Sequence, residues 1–229
     1  MATKEKKQGP TKGKVFWRTQ AECLRRTLSS AVMYVFMSII MLVIQMIPLF
    51  LVRVLLGTAC MIFAMLANAH LCFGNGKRHY DNYLSGELHR SNIAHGIDTG
   101  AQIRVEREYR PWKGFYIGFL ISIPVIVLGA LAGHFLQTEG SILGQAAGVF
   151  LIFLCGWAII PMGWFASNFY WSILMAIIPI LISGISYIIG ARYEKRVKDA
   201  EKARAEAVAR LQEAQKDRAQ TEEQRRKTP

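Results

Sequence analysis

Three histidines, His79, His89 and His95, share one polar stretch with Asp81, Glu87 and Asp98. Imidazole and carboxylate groups bind transition metals and move protons near neutral pH, so this is where metal or acid–base chemistry would sit. Spacing argues against it. A helix brings two ligands onto one face at three or four residues apart, whereas these histidines are ten and six apart. Membrane hydroxylases and desaturases need denser histidine clusters. The expected state of all three is a solvated loop histidine.

A second set of polar residues lies inside apolar sequence: Gln45, Asn68, His70, His134 and Gln145. Carriers of charged cargo place ionisable groups near the membrane midplane. No Asp or Glu falls inside any of the long apolar runs, and Glu139 lies in the short link after the third. Proton coupling through a buried carboxylate is therefore disfavoured. Pro124 and Pro179 lie within runs and are candidates for breaking helices around a site, although membrane helices tolerate proline without such a role.

Cys23, Cys60, Cys72 and Cys155 show no CxxC pair and no histidine at ligand spacing, which points away from zinc and from structural disulfides. Three of them sit in apolar runs, where cysteine behaves as a small hydrophobe. Cys23, close to the membrane, is a palmitoylation candidate by position alone. Gly74-Asn75-Gly76 reads as a turn and not as a phosphate loop, and no nucleophile elbow is present. The residues give no catalytic, cofactor-binding or metal-binding set, and the expectation is a protein that is not an enzyme.

The elements carrying these residues are set by hydrophobic run length. The chain has 229 residues, 52% hydrophobic and 19% charged, and the charges are crowded into three stretches. Five nearly uncharged runs separate them: Leu28 to Leu49, Val54 to Phe73, Gly114 to Leu136, Ile142 to Gly163 and Phe169 to Gly190. Twenty helical residues rise about 30 Å, the hydrocarbon thickness of a bilayer. The expected fold is all-α, a polytopic integral protein of the cell membrane with about five hydrophobic helices and a charged C-terminal helix. The first run is too long for a signal peptide core and reads as a retained span.

Five segments follow. Residues 1–27 are a polar lead passing into a basic amphipathic stretch. Lys14, Arg18, Arg25 and Arg26 are the residues expected to meet anionic lipid headgroups, at about 1 kcal/mol each. Residues 28–73 form a transmembrane hairpin, with Pro48 ending its first helix. Arg53, the one charge between Arg26 and Lys77, is expected to snorkel from the turn. Residues 74–113 make a polar cytoplasmic loop, too small for a catalytic domain. Residues 114–190 hold three hydrophobic helices. Trp157, Trp164, Phe165, Tyr170 and Trp171 gather about the last link, as an aromatic belt does at a membrane face.

Residues 191–229 are a charged helical tail with acid-first i,i+4 pairs such as Glu194 with Lys198 and Glu206 with Arg210. A coiled-coil register through Val197, Arg204 and Leu211 has too polar a seam to hold a dimer alone. Small residues recur at GxxxG spacing as Gly114 and Gly118, Gly129 and Gly133, Gly144 and Gly148. These are expected helix-packing faces, for a homo-oligomer or within the chain. The net charge of +12 is assigned to anionic lipid and not to nucleic acid, since the charges flank the spans.

Charge placement contains a conflict. Lys and Arg number eight in residues 1–27, seven in 74–113 and twelve in 191–229. Basic segments favour the cytoplasm. Two runs separate the first pair of segments, but three separate the second. Either one of the last three is re-entrant or the tail lies outside, with a lean towards a cytoplasmic tail. The leading expectation is an anchor or accessory subunit that recruits a protein partner through loop and tail. The alternative is a small transporter or channel component for a neutral solute, using Gln45, Asn68, Gln145 and broken helices.

Overall fold

The structure, a computed structural model, describes residues 12–85, 109–138, 142–158 and 171–227. These form helices α1 (Lys12–Gln45), α2 (Phe50–Ser85), α3 (Trp112–Thr138), α4 (Ile142–Cys155) with a 3-10 turn at Gly156–Ala158, α5 (Trp171–Met175) and α6 (Ile177–Lys227). No strand occurs among the described residues. Helix is the element that satisfies every backbone donor and acceptor within one segment, which a hydrocarbon solvent demands. Four segments, Gln20–Gln45, Phe50–Leu84, Trp112–Phe135 and Ser172–Arg218, are long and apolar enough to cross a membrane. The chain is an all-α membrane protein.

Within the fourth apolar run, the described part is α4, of 14 residues, and the 3-10 turn that carries it to Ala158. Of the two prolines inside runs, Pro124 lies within an uninterrupted α3. Pro179 stands just after the break at Ala176 that separates α5 from α6.

Between α1 and α2 the chain reverses without a polar loop. The amides of Met46 and Ile47 close 3.1 Å bonds on the carbonyls of Val43 and Ile44, tightening the last turn ahead of Pro48. Arg53 falls in the first turn of α2, its guanidinium 5.7 Å from the Phe50 ring centre, so the charge sits at the helix end.

The chain divides into two compact units, Met1–Ala191 and Arg192–Pro229. In the first, α1 packs on α2, α3 and α4, and α3 packs on α4 and α5. Its outer surface is apolar: Leu28, Val32, Phe36, Ile39 and Val43 form an exposed stripe on α1, and Leu55, Ile62, Phe63 and Leu66 do so on α2. The interior holds small polar groups, with Ser30, Ser38, Asn68, Ser122, Ser172 and Ser183 all buried. An apolar exterior and close-packing small residues inside is the arrangement that lipid favours, because hydrocarbon gives no drive to hide leucine.

The second unit is the charged part of α6. Residues 199–218 are exposed throughout, including Val208 at 53% and Leu211 at 64%, and Lys198 Nζ lies 3.7 Å from the Glu201 carboxylate.

The triplet Gly74-Asn75-Gly76 does not turn; α2 runs through it to Ser85. The reason is tertiary. A methyl group at Gly76 would lie 2.9 Å from the Tyr187 carbonyl carbon, and closer to its oxygen. One at Gly190 would lie 2.9 Å from the carbonyl carbon of Phe73. The two glycines thus form a reciprocal backbone contact between α2 and α6 that no larger residue permits.

Candidate functional site

The most developed polar constellation joins residues from three helices at one end of the first unit. Glu22 stands near the start of α1, His79 in the last turns of α2, and Tyr187 on α6. His79 Nε2 lies 3.0 Å from Glu22 Oε1, and His79 Nδ1 lies 2.7 Å from the Tyr187 hydroxyl. A carboxylate only accepts, so Nε2–H donates to Glu22. The neutral ring then accepts at Nδ1 from the Tyr187 hydroxyl. The hydrogen bonds therefore run in one direction, from an interior phenol to a carboxylate that is 39% exposed.

Neighbouring groups hold this line in place. Arg26 reaches across to α2, donating to Asn75 Oδ1 at 2.9 Å, and lies 4.0 Å from Glu22 on its own helix. Tyr116 of α3 donates its hydroxyl to Gln20 Oε1. Lys113, which opens α3, is buried and its field acts on Glu22. Tyr109 stacks on Tyr187 with ring centres 5.8 Å apart, and Tyr80 meets Tyr109 edge-on at 5.5 Å. The ends of α1, α2 and α3 and the Tyr187 region of α6 accordingly meet at one level.

Carboxylate, imidazole and hydroxyl in series is also the order found in hydrolytic triads. Here the hydroxyl is a phenol on a fully buried tyrosine, packed on Gly114, where a Cβ would lie 2.9 Å from its Cγ. No reacting carbonyl can approach it. What the line does is fix three helices in register. A buried imidazole missing either partner forfeits about 1–3 kcal/mol.

A second polar group lies deeper between the same helices. Asn68 donates to Ser183 Oγ at 3.0 Å, and the Cys72 thiol approaches Asn68 Oδ1 at 3.7 Å. Of the five polar residues in apolar sequence, only Asn68 enters the interior. His70, His134 and Gln145 are exposed and Gln45 is half-buried, so Gln45, Asn68 and Gln145 do not share one buried path.

The remaining expected sites fall as follows. Lys14 and Arg18 belong to α1, in turns where only the backbone is described, and Arg25 is exposed on the same helix. Arg26 is drawn into the Glu22–Asn75 group. All six GxxxG glycines are buried inside the chain. Gly118 faces Ile180, where a Cβ would lie 2.6 Å from its Cα, and Gly129 faces the Ser172 hydroxyl.

His89 and His95, with Glu87 and Asp98, lie outside the described residues, as do Trp164, Phe165 and Tyr170. Trp157 is not a belt residue: it is buried against Tyr34, ring centres 5.0 Å apart, and its amide donates to Ser38 Oγ at 3.0 Å. Cys23 is buried too, which covers the thiol that position alone offered for acylation. No cluster suited to a metal ion occurs among the described residues.

Glu22 and Tyr187 were missed from sequence. Glu22 is the one acid between Glu5 and Asp81, and Tyr187 is a phenol within an apolar run. Both are signals, but neither names a partner. Compared with family models, curated proteins and solved structures, the chain matches none.

Proposed function

We propose that the protein is a non-enzymatic, multi-pass anchor or accessory subunit of the cell membrane, which recruits a protein partner through its charged C-terminal helix and polar loop. The observation that carries this reading is the second unit: a helix exposed throughout residues 199–218, Val208 and Leu211 included. Such a surface offers a partner alternating charge and two apolar anchors. In the first unit the Glu22–His79–Tyr187 line and the Asn68–Ser183 bond tie helices to one another.

Sidedness supports the same reading. The Glu22–His79–Tyr187 line brings the start of α1, the end of α2 and the last turn of α6 before Ala191 to one level. On this reading the four segments long and apolar enough to cross, in α1, α2, α3 and α6, are the crossings, and the chain returns to the side on which it begins. Eight, seven and twelve basic residues then share the cytoplasmic face, where anionic lipid attracts them.

The test is affinity capture of the full chain against a chain ending at residue 194. Loss of the captured partners from the shortened protein is expected, and their unchanged recovery would sink the role of the tail. A neutral-solute pathway is the second reading, supported by Asn68 alone. Flux through reconstituted vesicles is its measurement.

A further inference from the structure

Two hydroxyls in the first unit are buried with no hydrogen-bond partner among the described residues: Ser30 Oγ and Tyr34 OH. They sit one turn apart on α1, yet their surroundings differ. Tyr34 lines a cavity of about 10 Å³ together with Ser122, Cys155, Trp157, Met175 and Pro179. That is about the least volume that admits one water molecule. Ser30 is not among the residues that line it.

The cavity wall offers what a water needs. Ser122 Oγ already donates, to the Ala176 carbonyl at 2.7 Å, so its lone pairs are available to accept. Met175 also lines the cavity, and its carbonyl would, in an unbroken helix, take the amide of residue 179. Pro179 has no amide to give. Tyr34 supplies a donor. The Asn68 side chain stands close enough to act on Tyr34 OH, but its amide donates to Ser183 and its oxygen takes the Cys72 thiol. No lining residue is charged, which disfavours an ion. The volume excludes anything larger than water.

We propose that this cavity is a binding site for a single water molecule, which accepts from the Tyr34 hydroxyl and donates to Ser122 Oγ and to the Met175 carbonyl. The water ties α1 and α3 to the α5–α6 break, and it supplies the Met175 carbonyl with the donor that Pro179 lacks. Without it, a buried phenol faces a medium that offers no substitute.

The experiment compares the full chain with Tyr34→Phe and Ser30→Ala by thermal unfolding, and by infrared difference spectra in ordinary and oxygen-18 water. Ser30→Ala removes a hydroxyl set against the Cys72 thiol, a weak partner, and is expected to leave Tm unchanged or raise it. Tyr34→Phe is expected to lower Tm by about 2–4 °C and to abolish an isotope-sensitive buried-water band present in the parent and in Ser30→Ala. A Tyr34→Phe protein as stable as Ser30→Ala would overturn the proposal. A loss of stability with no change in that band would overturn it equally, since Tyr34 would then be bonded to Asn68 directly.

Discussion

Gly74 and Gly76 stand two residues apart in one helix, and the same substitution at each should act in opposite directions. At Gly74 an added Cβ has no heavy atom within 4 Å. Alanine there gains helix propensity, up to about 1 kcal/mol. At Gly76 the added carbon lies 2.9 Å from the Tyr187 carbonyl carbon and 3.2 Å from the Ala191 amide nitrogen. Carbon atoms rest at about 3.5–4.0 Å, so α2 and α6 must part by more than half an ångström. Neither side of this contact is a flexible side chain, so the cost belongs at the top of the overpacking range, about 3 kcal/mol. Separation also stretches the 2.7 Å bond between His79 and Tyr187.

Net of the propensity gain, Gly76→Ala is expected to lose about 2 kcal/mol. The two variants should then differ by about 3 kcal/mol, a hundredfold in the folding equilibrium. Equilibrium denaturation in mixed micelles, followed by tryptophan fluorescence, measures both. Equal stability of Gly76→Ala and Gly74→Ala would refute the close approach of α2 and α6, and with it the reason the glycine triplet stays helical.

Tyr187→Phe keeps the ring stack on Tyr109 but orphans His79 Nδ1, and should cost about 1–3 kcal/mol. A double-mutant cycle with His79→Ala should return a coupling of at least about 0.5 kcal/mol; independent effects would show that the bond does not form. Asn68→Leu removes the bond to Ser183 and should cost about 0.6 kcal/mol, the usual worth of an interhelical bond in a membrane, read by the same denaturation. All four thiols are buried, so a maleimide should label the native protein only as it unfolds, and rapid labelling of Cys23 in micelles would contradict its burial. In a cysteine-free background, Ser85→Cys and Gln215→Cys should both resist an impermeant maleimide on intact cells. Labelling of residue 215 alone would place the tail outside and end the cytoplasmic-partner reading.

Much of this protein was fixed by local composition. Runs of twenty apolar residues in hydrocarbon have no alternative to helix, so α1, α2, α3 and the apolar part of α6 were legible from length and polarity. The charged tail was legible as a helix for a related reason: alanine and i,i+4 pairs are local. What failed depended on partners distant in sequence. Gly74-Asn75-Gly76 carries the composition of a turn, yet stays helical because Gly76 meets the backbone of Tyr187. Trp157 carries the composition of an interface residue, yet packs inside on Tyr34. The histidine stretch has the composition of one polar loop, yet His79 belongs to a helix and finds its partners 57 and 108 residues away.

Charge counts along the chain left an odd number of apolar runs in conflict with the placement of the basic segments. What the tertiary structure adds is which helix ends lie together. One line of hydrogen bonds brings Glu22, His79 and Tyr187 together from three helices. Hydropathy records that a segment prefers lipid. Only the contacts between helices record which of their ends lie together.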